Sequence, residues 1–347
     1  MTTVPSGKVL VTGANGYIAT WIVHFLLEQG YYVRGTVRSE DKARSVLELF
    51  PAYKDKLEFS IVKDITKERA FDDAVKGVDA VIHTASPVVW SETAEPEEII
   101  KPAVQGILDL FESVQEYGDK VRRIIQISSA GAVEELTSPP RTYSEKDWNF
   151  AAVREVEQKG AKASPVLKYA ASKVLAEQAA WKYYREKKEK GEIRWDFTVL
   201  IPPVVFGPLR HHVRDPSRLP MPMDEYYAYV LHGKAGPNTA TLDGNCWVDV
   251  RDVALAHVVA LRKSGSGGQR LIVSAGQYCW RDWVAAAQKI APNVHEKRLP
   301  PAKPKNEIQK FDASTTSEVL GIKYHTLDET TRAILDSFEN LGLWRRN

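Results

Sequence analysis

Cysteine and long apolar runs are scarce in this sequence of 347 residues. The two cysteines, Cys246 and Cys279, lie far apart and have no Cys or His nearby at ligand spacing, so we expect neither a disulfide framework nor a metal site. No apolar run approaches the roughly 20 residues that a membrane helix needs, and none follows a basic start near the first residue. We therefore expect a cytoplasmic protein that makes no membrane contact, with both cysteines in its core.

An excess of charge is also missing, since 47 Lys and Arg face 45 Asp and Glu and the formal net charge is +2. This balance argues against a surface that binds nucleic acid. The apolar fraction of 44% and the charged fraction of 27% are typical of globular proteins. The length predicts one large domain or a main domain with an appendage, and it leaves open whether the protein is a monomer or a homodimer.

Short β-branched runs alternate with helical patterns, as in a parallel sheet that is covered by helices on both faces. The predicted strands are residues 8–12, 32–37, 58–62, 80–83, 123–127, 198–201 and 271–273. Between the first two, apolar residues share one helical face and Gly30 supplies the stop signal. The pattern predicts an α/β fold with a doubly wound, mostly parallel Rossmann sheet, whose ligand binds at the carboxyl ends of the strands.

A smaller, mixed lobe is predicted to begin after Gly207, where prolines interrupt the pattern. We assign residues 1–206 plus 240–275 to the dinucleotide-binding domain and 207–239 plus 276–347 to the substrate-binding lobe. Further helices are predicted at residues 248–261, at 281–290 and within 314–341. Around the first of these, we expect structural hydrogen bonds from Asp249, Arg251 and Asp252.

A glycine-rich turn follows the first strand directly, because Gly13-Ala14-Asn15-Gly16 separates it from a helix. Small residues at such a turn let backbone N–H groups approach a pyrophosphate, whose charge the positive end of the helix favours. An ordinary tight turn is the alternative for an isolated motif. The strand and helix on either side favour a dinucleotide site.

The end of the second strand indicates which dinucleotide is bound. An NAD site usually places an acid there, whereas an NADP site places a cation against the 2′-phosphate. Here the planar guanidinium of Arg38 can donate two hydrogen bonds to a phosphate, and Lys42 can add a second positive charge. These residues predict NADPH or NADP⁺ as the cofactor. Glu40 and Asp41 stand between the two cations, so pairing with these acids is the alternative. Asp64, after the third strand, is a candidate to meet the adenine.

A phenol and an ammonium share one helical face, because Tyr169 and Lys173 are four residues apart. A free phenol ionises near pH 10, and a neighbouring cation favours its ionised form. When hydride reaches a carbonyl carbon, the oxygen needs a proton and a prearranged hydrogen bond. Tyr169 would supply the proton, and Ser129, directly after a strand, would supply the hydrogen bond.

Together these motifs resemble the extended short-chain dehydrogenases/reductases. The resemblance rests on residues 12–19, 83–87, 128–130, 169–173 and 247–254. Within the family, the chain is most similar to the branch of fungal carbonyl and methylglyoxal reductases, dihydroflavonol reductases and cinnamoyl-CoA reductases. The resemblance implies an NADPH-dependent oxidoreductase that reduces a ketone or aldehyde to the alcohol.

The matching motifs also imply roles for individual residues. Ser129, Tyr169 and Lys173 form the implied catalytic triad, and Tyr169 and Lys173 also contact the cofactor. The other implied cofactor-binding residues are Gly13, Asn15, Gly16, Tyr17, Ile18, Arg38, Lys42, Asp64, Ile65, Thr84, Ala85, Ser86, Pro202, Val204 and Val205.

Some positions depart from the plant enzymes and from the epimerases of this family. Glu134 stands where dihydroflavonol reductases usually carry Asn or Asp, and residues 147–150 lack the cinnamoyl-CoA reductase signature. Pro203 and Arg38 differ from the Asn and the acid that are usual in sugar-nucleotide epimerases. A fungal-type carbonyl reductase fits best, with a sugar-nucleotide epimerase/dehydratase or a non-catalytic NADP-sensing protein as alternatives.

The substrate is expected to be a small hydrophobic or aromatic carbonyl compound, since the residues that would project over the nicotinamide are mostly apolar. Packing within the core of the lobe is the alternative for each aromatic residue among them. The candidate substrate-binding residues are Val88, Trp90, Glu134, Met221, Met223, Tyr226 and Trp247.

Overall fold

A computed structural model describes residues 2–86, 91–135, 138–211, 213, 215–233, 244–292, 294 and 304–345. In these residues, seven parallel strands form one sheet in the order β10-β7-β5-β4-β1-β2-β3. These strands are β1 (Lys8–Thr12), β2 (Tyr32–Val37), β3 (Leu57–Ile61), β4 (Ala80–His83), β5 (Arg123–Ile127), β7 (Asp196–Ile201) and β10 (Arg270–Ile272). The predicted fold class is confirmed, and the predicted strands coincide with these to within two residues.

Helices cover both faces of the large sheet and bury its β-branched strands, as expected from strands without polar alternation. One face packs against α1 (Tyr17–Glu28), α2 (Glu40–Leu49), α8 (Val250–Arg262) and α10 (Ser314–Leu320). The other face packs against α3 (Asp72–Val75), α4 (Pro96–Tyr117) and α6 (Pro165–Glu189), and α5 (Phe150–Lys159) packs on α6. Within the described chain, no helix combines the length and apolar character that crossing a bilayer requires.

A second, aromatic core lies in the smaller lobe. It is built from a mixed sheet of β8 (Val204–Phe206), β9 (Asn245–Asp249) and β11 (Gly276–Tyr278), and from α7 (Met221–Tyr226), α9 (Trp280–Ile290) and α11 (Leu327–Asn340). Two short strands, β6 (Thr142–Tyr143) and β12 (Lys310–Phe311), pair beside it. β8 and β9 lie in ranges that the sequence assigned to the dinucleotide-binding domain, although they belong to the sheet of the smaller lobe. The domain limits themselves stay a prediction.

The helix predicted at 248–261 begins two residues later, and the preceding residues form β9. The reason is the Asp249 side chain, which accepts the backbone N–H of Arg251 at 2.7 Å and so caps the helix. Asp249 also pairs with the Arg251 guanidinium and accepts the hydroxyl of Thr330 at 2.6 Å. Asp252 accepts the backbone N–H of His325 at 2.8 Å, so the structural role predicted for Asp249, Arg251 and Asp252 is confirmed. Both cysteines are unbridged; Cys246 is buried and Cys279 is half-buried.

Candidate active site

The strand order reverses between β1 and β4, and this reversal opens a crevice at the carboxyl edge of the large sheet. The chain runs outward from β1 through β2 to β3 and then crosses back to β4 on the other side of β1. Ligands of doubly wound sheets bind at such a reversal. The glycine turn after β1 and residues 84–86 after β4 therefore meet in the crevice.

The Thr12 hydroxyl joins the two sides of this crevice. Its Oγ1 accepts the backbone N–H groups of Thr84 at 3.1 Å and Ala85 at 3.0 Å, so its own proton is donated to Nδ1 of His83 at 3.0 Å. Burial, and then the charge of Lys173, lower the pKa of His83 to about 3. The neutral imidazole therefore holds the turn after β4 at any ordinary pH.

The glycine turn lies close against the segment that follows β4. Gly13 has φ +66°, and a Cβ there would lie 3.2 Å from Cα of Ala85, so a side chain would obstruct both the turn and its approach to β4. Gly16 caps α1 without a side-chain hydrogen bond, and no acid lies in the first turn. The N–H groups in the first turn of α1 therefore have neither a capping side chain nor a carboxylate of that turn beside them. This is the state in which a helix N-terminus binds a phosphate.

Two further predicted cofactor residues, Tyr17 and Ile65, make contacts within the protein. The Tyr17 hydroxyl donates to the carbonyl of Gly207 at 2.8 Å, which ties the start of α1 to the segment that leads into the smaller lobe. Contact between Tyr17 and a cofactor would therefore come from its backbone. On the other side of the sheet, Ile65 packs close to Gly106 of α4, where a Cβ would lie 3.4 Å from its Cδ1.

The two cations after β2 are exposed at the edge of the crevice. Asp41 pairs with Arg44 rather than with Arg38 or Lys42, and within the described residues these two cations form no ion pair. Asp64 is also exposed, and hydrogen bonds from the hydroxyl and N–H of Thr66 foremost lower its pKa. Both cations are thus left to solvent, and their contact with the 2′-phosphate of NADPH stays a prediction.

Gly131 brings Ser129 and Tyr169 together. A Cβ at Gly131 would lie 3.5 Å from Oγ of Ser129 and 3.6 Å from Cε1 of the Tyr169 ring. The Ser129 Oγ accepts the N–H of Gly131 at 3.1 Å, and because it is the acceptor in this bond, its own proton can be donated to another group. The serine hydroxyl and the phenol ring therefore border one small space.

Lys173 completes this group from the next turn of α6. Its Nζ lies 5.4 Å from the centre of the Tyr169 ring and donates to Oγ of Ser86 at 3.0 Å. Ser86 belongs to the segment after β4, so this bond joins the catalytic helix to the crevice. The three predicted triad residues thus converge at the carboxyl edge of the sheet.

The end of β7 lies beside the serine. The carbonyl of Pro202 accepts the N–H of Ala130 at 2.9 Å, which places residues 202–205 against the turn that carries Ser129. Val204 and Val205 continue into β8 and the smaller lobe. This position agrees with the contacts to the nicotinamide that the resemblance implies for Pro202, Val204 and Val205, which stay a prediction.

Several predicted substrate-binding residues lie inside the protein. Met223 and Tyr226 are fully buried in the aromatic core, and Trp247 is 4% exposed and packs on Trp283. The structure therefore places Met223 and Tyr226 among neighbouring side chains, as the packing alternative expects, and not on an open wall. Met221 is partly exposed at the start of α7. Val88 and Trp90 lie outside the described residues.

Glu134 is a buried acid in the turn that follows Ser129. It is 4% exposed, and burial raises its pKa to about 7, against the effect of a hydrogen bond from Asn245 of β9. A carboxyl in this state titrates close to neutral pH. Its contact with Asn245 joins the serine turn to the smaller lobe.

Two buried polar residues near the triad, Ser128 and Glu177, were not among the predicted site residues. Ser128 donates to the carboxylate of Glu177 at 2.5 Å, and both side chains are buried. The available signal was spacing, since Glu177 follows Lys173 by one helical turn and so shares the face of Tyr169 and Lys173.

Comparison with known proteins identifies the family. The model of the NAD dependent epimerase/dehydratase family matches residues 9–276, which include the glycine turn, the triad and β9. The chain belongs to this family. The predicted membership of the extended short-chain dehydrogenases/reductases is confirmed.

Several relatives of this chain within the epimerase/dehydratase family carry the names of reductases. The NADPH-dependent methylglyoxal reductase of Saccharomyces cerevisiae is 32% identical over 93% of this chain and 95% of that protein. A ketoreductase of Aspergillus niger is 32% identical over 92% of this chain and 94% of that protein. The crystal structure of yeast methylglyoxal/isovaleraldehyde reductase complexed with NADPH superimposes with a TM-score of 0.82 and 29% identity, covering 96% of this chain and 99% of that chain.

Proposed function

We propose that this protein is an NADPH-dependent carbonyl reductase that converts a ketone or aldehyde to the alcohol. The observation that carries the proposal is the convergence of Ser129, Tyr169 and Lys173 beside the glycine turn, with Gly131 leaving space between the hydroxyl and the phenol. The names of the relatives support it, since both the methylglyoxal reductase and the ketoreductase act on carbonyl compounds.

The glycine turn, Arg38 and Lys42 would hold NADPH, which when bound supplies the hydride for the carbonyl carbon. Ser129 donates a hydrogen bond to the carbonyl oxygen, whose negative charge grows during the reaction. Tyr169 transfers its phenolic proton to that oxygen, so the product leaves as a neutral alcohol. The ammonium of Lys173 stabilises the phenolate that remains.

The substrate that we propose is a small hydrophobic or aromatic carbonyl compound. Support comes from the lobe that adjoins the triad, whose core is aromatic, and from the apolar ends of β7 and β8. A mainly apolar pocket with a few placed polar groups selects by shape and burial. The protein would act as a monomer or homodimer in the cytoplasm.

The test is Tyr169→Phe, which removes the proton donor and keeps the ring. We expect kcat for NADPH oxidation with a panel of ketones and aldehydes to fall about a thousandfold, because general acid catalysis is lost. NADPH binding, measured by fluorescence titration, should stay unchanged. Tyr32→Phe is the matched control, since Tyr32 is 49% exposed at the opposite edge of the sheet and should retain full activity.

Wild-type protein that oxidises NADPH with no carbonyl compound would refute the proposal. Turnover of a sugar nucleotide without net NADPH consumption would instead indicate an epimerase or dehydratase. Binding of NADPH with neither activity would indicate a sensing protein.

A further inference from the structure

Glu177 is a buried carboxylate on the catalytic helix, and no part of the proposed reaction uses it. It lies on α6 one turn after Lys173 and two turns after Tyr169, with no exposed surface. Its carboxylate accepts three hydrogen bonds, from Oγ of Ser128 at 2.5 Å, Nε of Arg270 at 2.6 Å and Nε1 of Trp181 at 3.2 Å. A buried carboxylate is costly unless it is paired and hydrogen-bonded, so this site is built around one charge.

The first connection from Glu177 leads to the residue before Ser129. Ser128 lies directly after β5, and its N–H donates to the carbonyl of Leu200 on β7 at 2.8 Å. Its hydroxyl is bound to Glu177, and hydrogen bonds to charged groups are shorter and stronger than neutral ones. The backbone that enters Ser129 is thereby fixed to α6, the helix that carries Tyr169 and Lys173.

The second connection passes through Arg270 of β10. Besides its bond to Glu177, the guanidinium donates to the carbonyls of Glu145 and Asp147, the latter at 3.0 Å. Its centre also lies 3.7 Å from the centre of the Trp148 ring, a close cation–π stack. Arg270 therefore holds residues 145–148 in place.

Asn149, the next residue, reaches the turn that follows Ser129. Its Nδ2 donates to the carbonyls of Gly131 at 3.1 Å and Glu134 at 2.6 Å, and its N–H donates to the carbonyl of Ala132 at 2.9 Å. The serine turn is thus held on its C-terminal side by a segment that depends on Arg270. Both connections begin at the same carboxylate.

We propose that Glu177 is a positioning residue that holds the Ser129 hydroxyl at its working distance from Tyr169. The inference rests on the proposed function, because it concerns the serine that donates to the carbonyl oxygen. Glu177 fixes the serine turn from both ends while belonging to the helix of the other two triad residues. A shift of about 1 Å in such a group can cost roughly a hundredfold in rate.

The first test is Ser128→Ala, which cuts one connection and leaves the pair of Glu177 and Arg270 intact. We expect kcat to fall about tenfold, with the KM for NADPH unchanged, because only the donor to the carbonyl oxygen is displaced. Ser113→Ala is the matched control. It also removes a buried serine hydroxyl that donates to a carboxylate, that of Asp72 at 2.8 Å, but it lies between α4 and α3.

The same substitution in a Ser129→Ala background shows whether the effect passes through Ser129. We expect Ser128→Ala to cause no further loss of kcat there, because the group that it positions is gone. An equal loss in both backgrounds would overturn the proposal, as would a kcat for Ser128→Ala equal to that of Ser113→Ala. Glu177→Gln should lower kcat more than Ser128→Ala, because it weakens both connections. If this variant does not fold, the comparison of Ser128→Ala in the two backgrounds still tests the proposal.

Hydrogen exchange supplies a measurement that needs no turnover. Amides in residues 128–134 should exchange faster in Ser128→Ala than in wild type, and Ser113→Ala should leave them unchanged. Unchanged exchange in this segment would refute positioning by Glu177. If the wild-type protein reduces no carbonyl compound, the proposed function is wrong. The exchange rates of residues 128–134 still show whether the hydrogen bonds of Glu177 hold this segment in place.

Discussion

At the carboxyl edge of the large sheet, hydrogen bonds hold the buried side chains, whereas stacked rings fill the core of the smaller lobe. Near the triad, Glu177 accepts three donors, and the buried ammonium of Lys168 donates to the carbonyls of Glu92, Ala94 and Ala161 at 3.3, 2.8 and 2.6 Å. In the smaller lobe, Trp283 lies at the centre of an aromatic cluster. Its ring centres are 4.9 Å from those of Phe206 and Trp247, 5.6 Å from Tyr226 and 6.1 Å from Tyr278.

These two arrangements control different properties. Hydrogen bonds to charged groups fix direction as well as distance, so they can place a reacting atom. Aromatic packing fixes volume and contributes mainly through buried area. Substitutions near the triad should therefore change the rate more than stability, and substitutions in the aromatic core should change stability more than the chemistry.

The largest effect is expected from Trp283→Ala in the aromatic core. Trp283 is fully buried, and its removal should lower the free energy of unfolding by about 4 kcal/mol, through lost burial and a cavity. Urea unfolding would measure this loss. NADPH binding at a temperature where the variant is folded should persist, because the crevice is built from the other core.

Trp283→Phe is the matched control. It keeps a ring in place and removes an indole N–H that has no hydrogen-bond partner in the described part of the chain, so the loss should be much smaller. Loss of NADPH binding together with stability in Trp283→Ala would contradict the separation of the two regions.

Glu134 tests the boundary between the regions, since it belongs to the serine turn and contacts Asn245 of the smaller lobe. Burial raises its pKa from 4.5 to about 7, so the folded protein keeps a proton that the unfolded chain releases between these values. Wild-type stability should therefore fall as pH rises through this window. Glu134→Gln, which stays neutral, should be more stable than wild type at pH 8 by up to about 3 kcal/mol.

The measurement is the free energy of unfolding of both proteins from pH 4 to pH 8. The advantage of Glu134→Gln should disappear below the lower end of the window, where the carboxyl is protonated in both the folded and unfolded states. A constant difference across the whole range would mean that the effect comes from packing and not from charge.

The large sheet could be predicted from the sequence because most of its strands are short, largely buried runs between turn signals. The predicted limits of β1, β2, β4 and β5 coincide with the observed ones. The residues that follow these strands then share one edge by geometry alone, which brought the glycine turn and Ser129 together, whereas Ser86 was implied by the family resemblance. The helical period placed Tyr169 and Lys173 on one face, and their combination with Ser129 and the glycine turn made them a specific catalytic candidate.

The aromatic core and the hydrogen bonds around Glu177 could not be predicted from the sequence in the same way. The last two residues of β9 were predicted as the start of a helix and the strand itself was not predicted. Its pairing with β8 and β11 joins segments that lie up to 74 residues apart, from Val204 to Tyr278. The contact of Ser128, Glu177 and Arg270 likewise joins three separate elements. Local periodicity carries no information about which distant side chains will meet.

The smallest effect is expected from replacing Arg38. Its side chain is exposed, and an ion pair of an exposed side chain contributes less free energy than a buried one. Arg38→Asp should lower the preference for NADPH over NADH about tenfold, equal to about 1.4 kcal/mol, by loss of the phosphate partner and by repulsion. The ratio of kcat/KM for the two cofactors measures this change. Arg44→Asp makes the same change at an exposed arginine of α2 that is already paired with Asp41; it is the matched control and should leave the ratio unchanged. An unchanged ratio in Arg38→Asp would assign the recognition to Lys42, and the double variant with Lys42→Ala would then be expected to remove the preference.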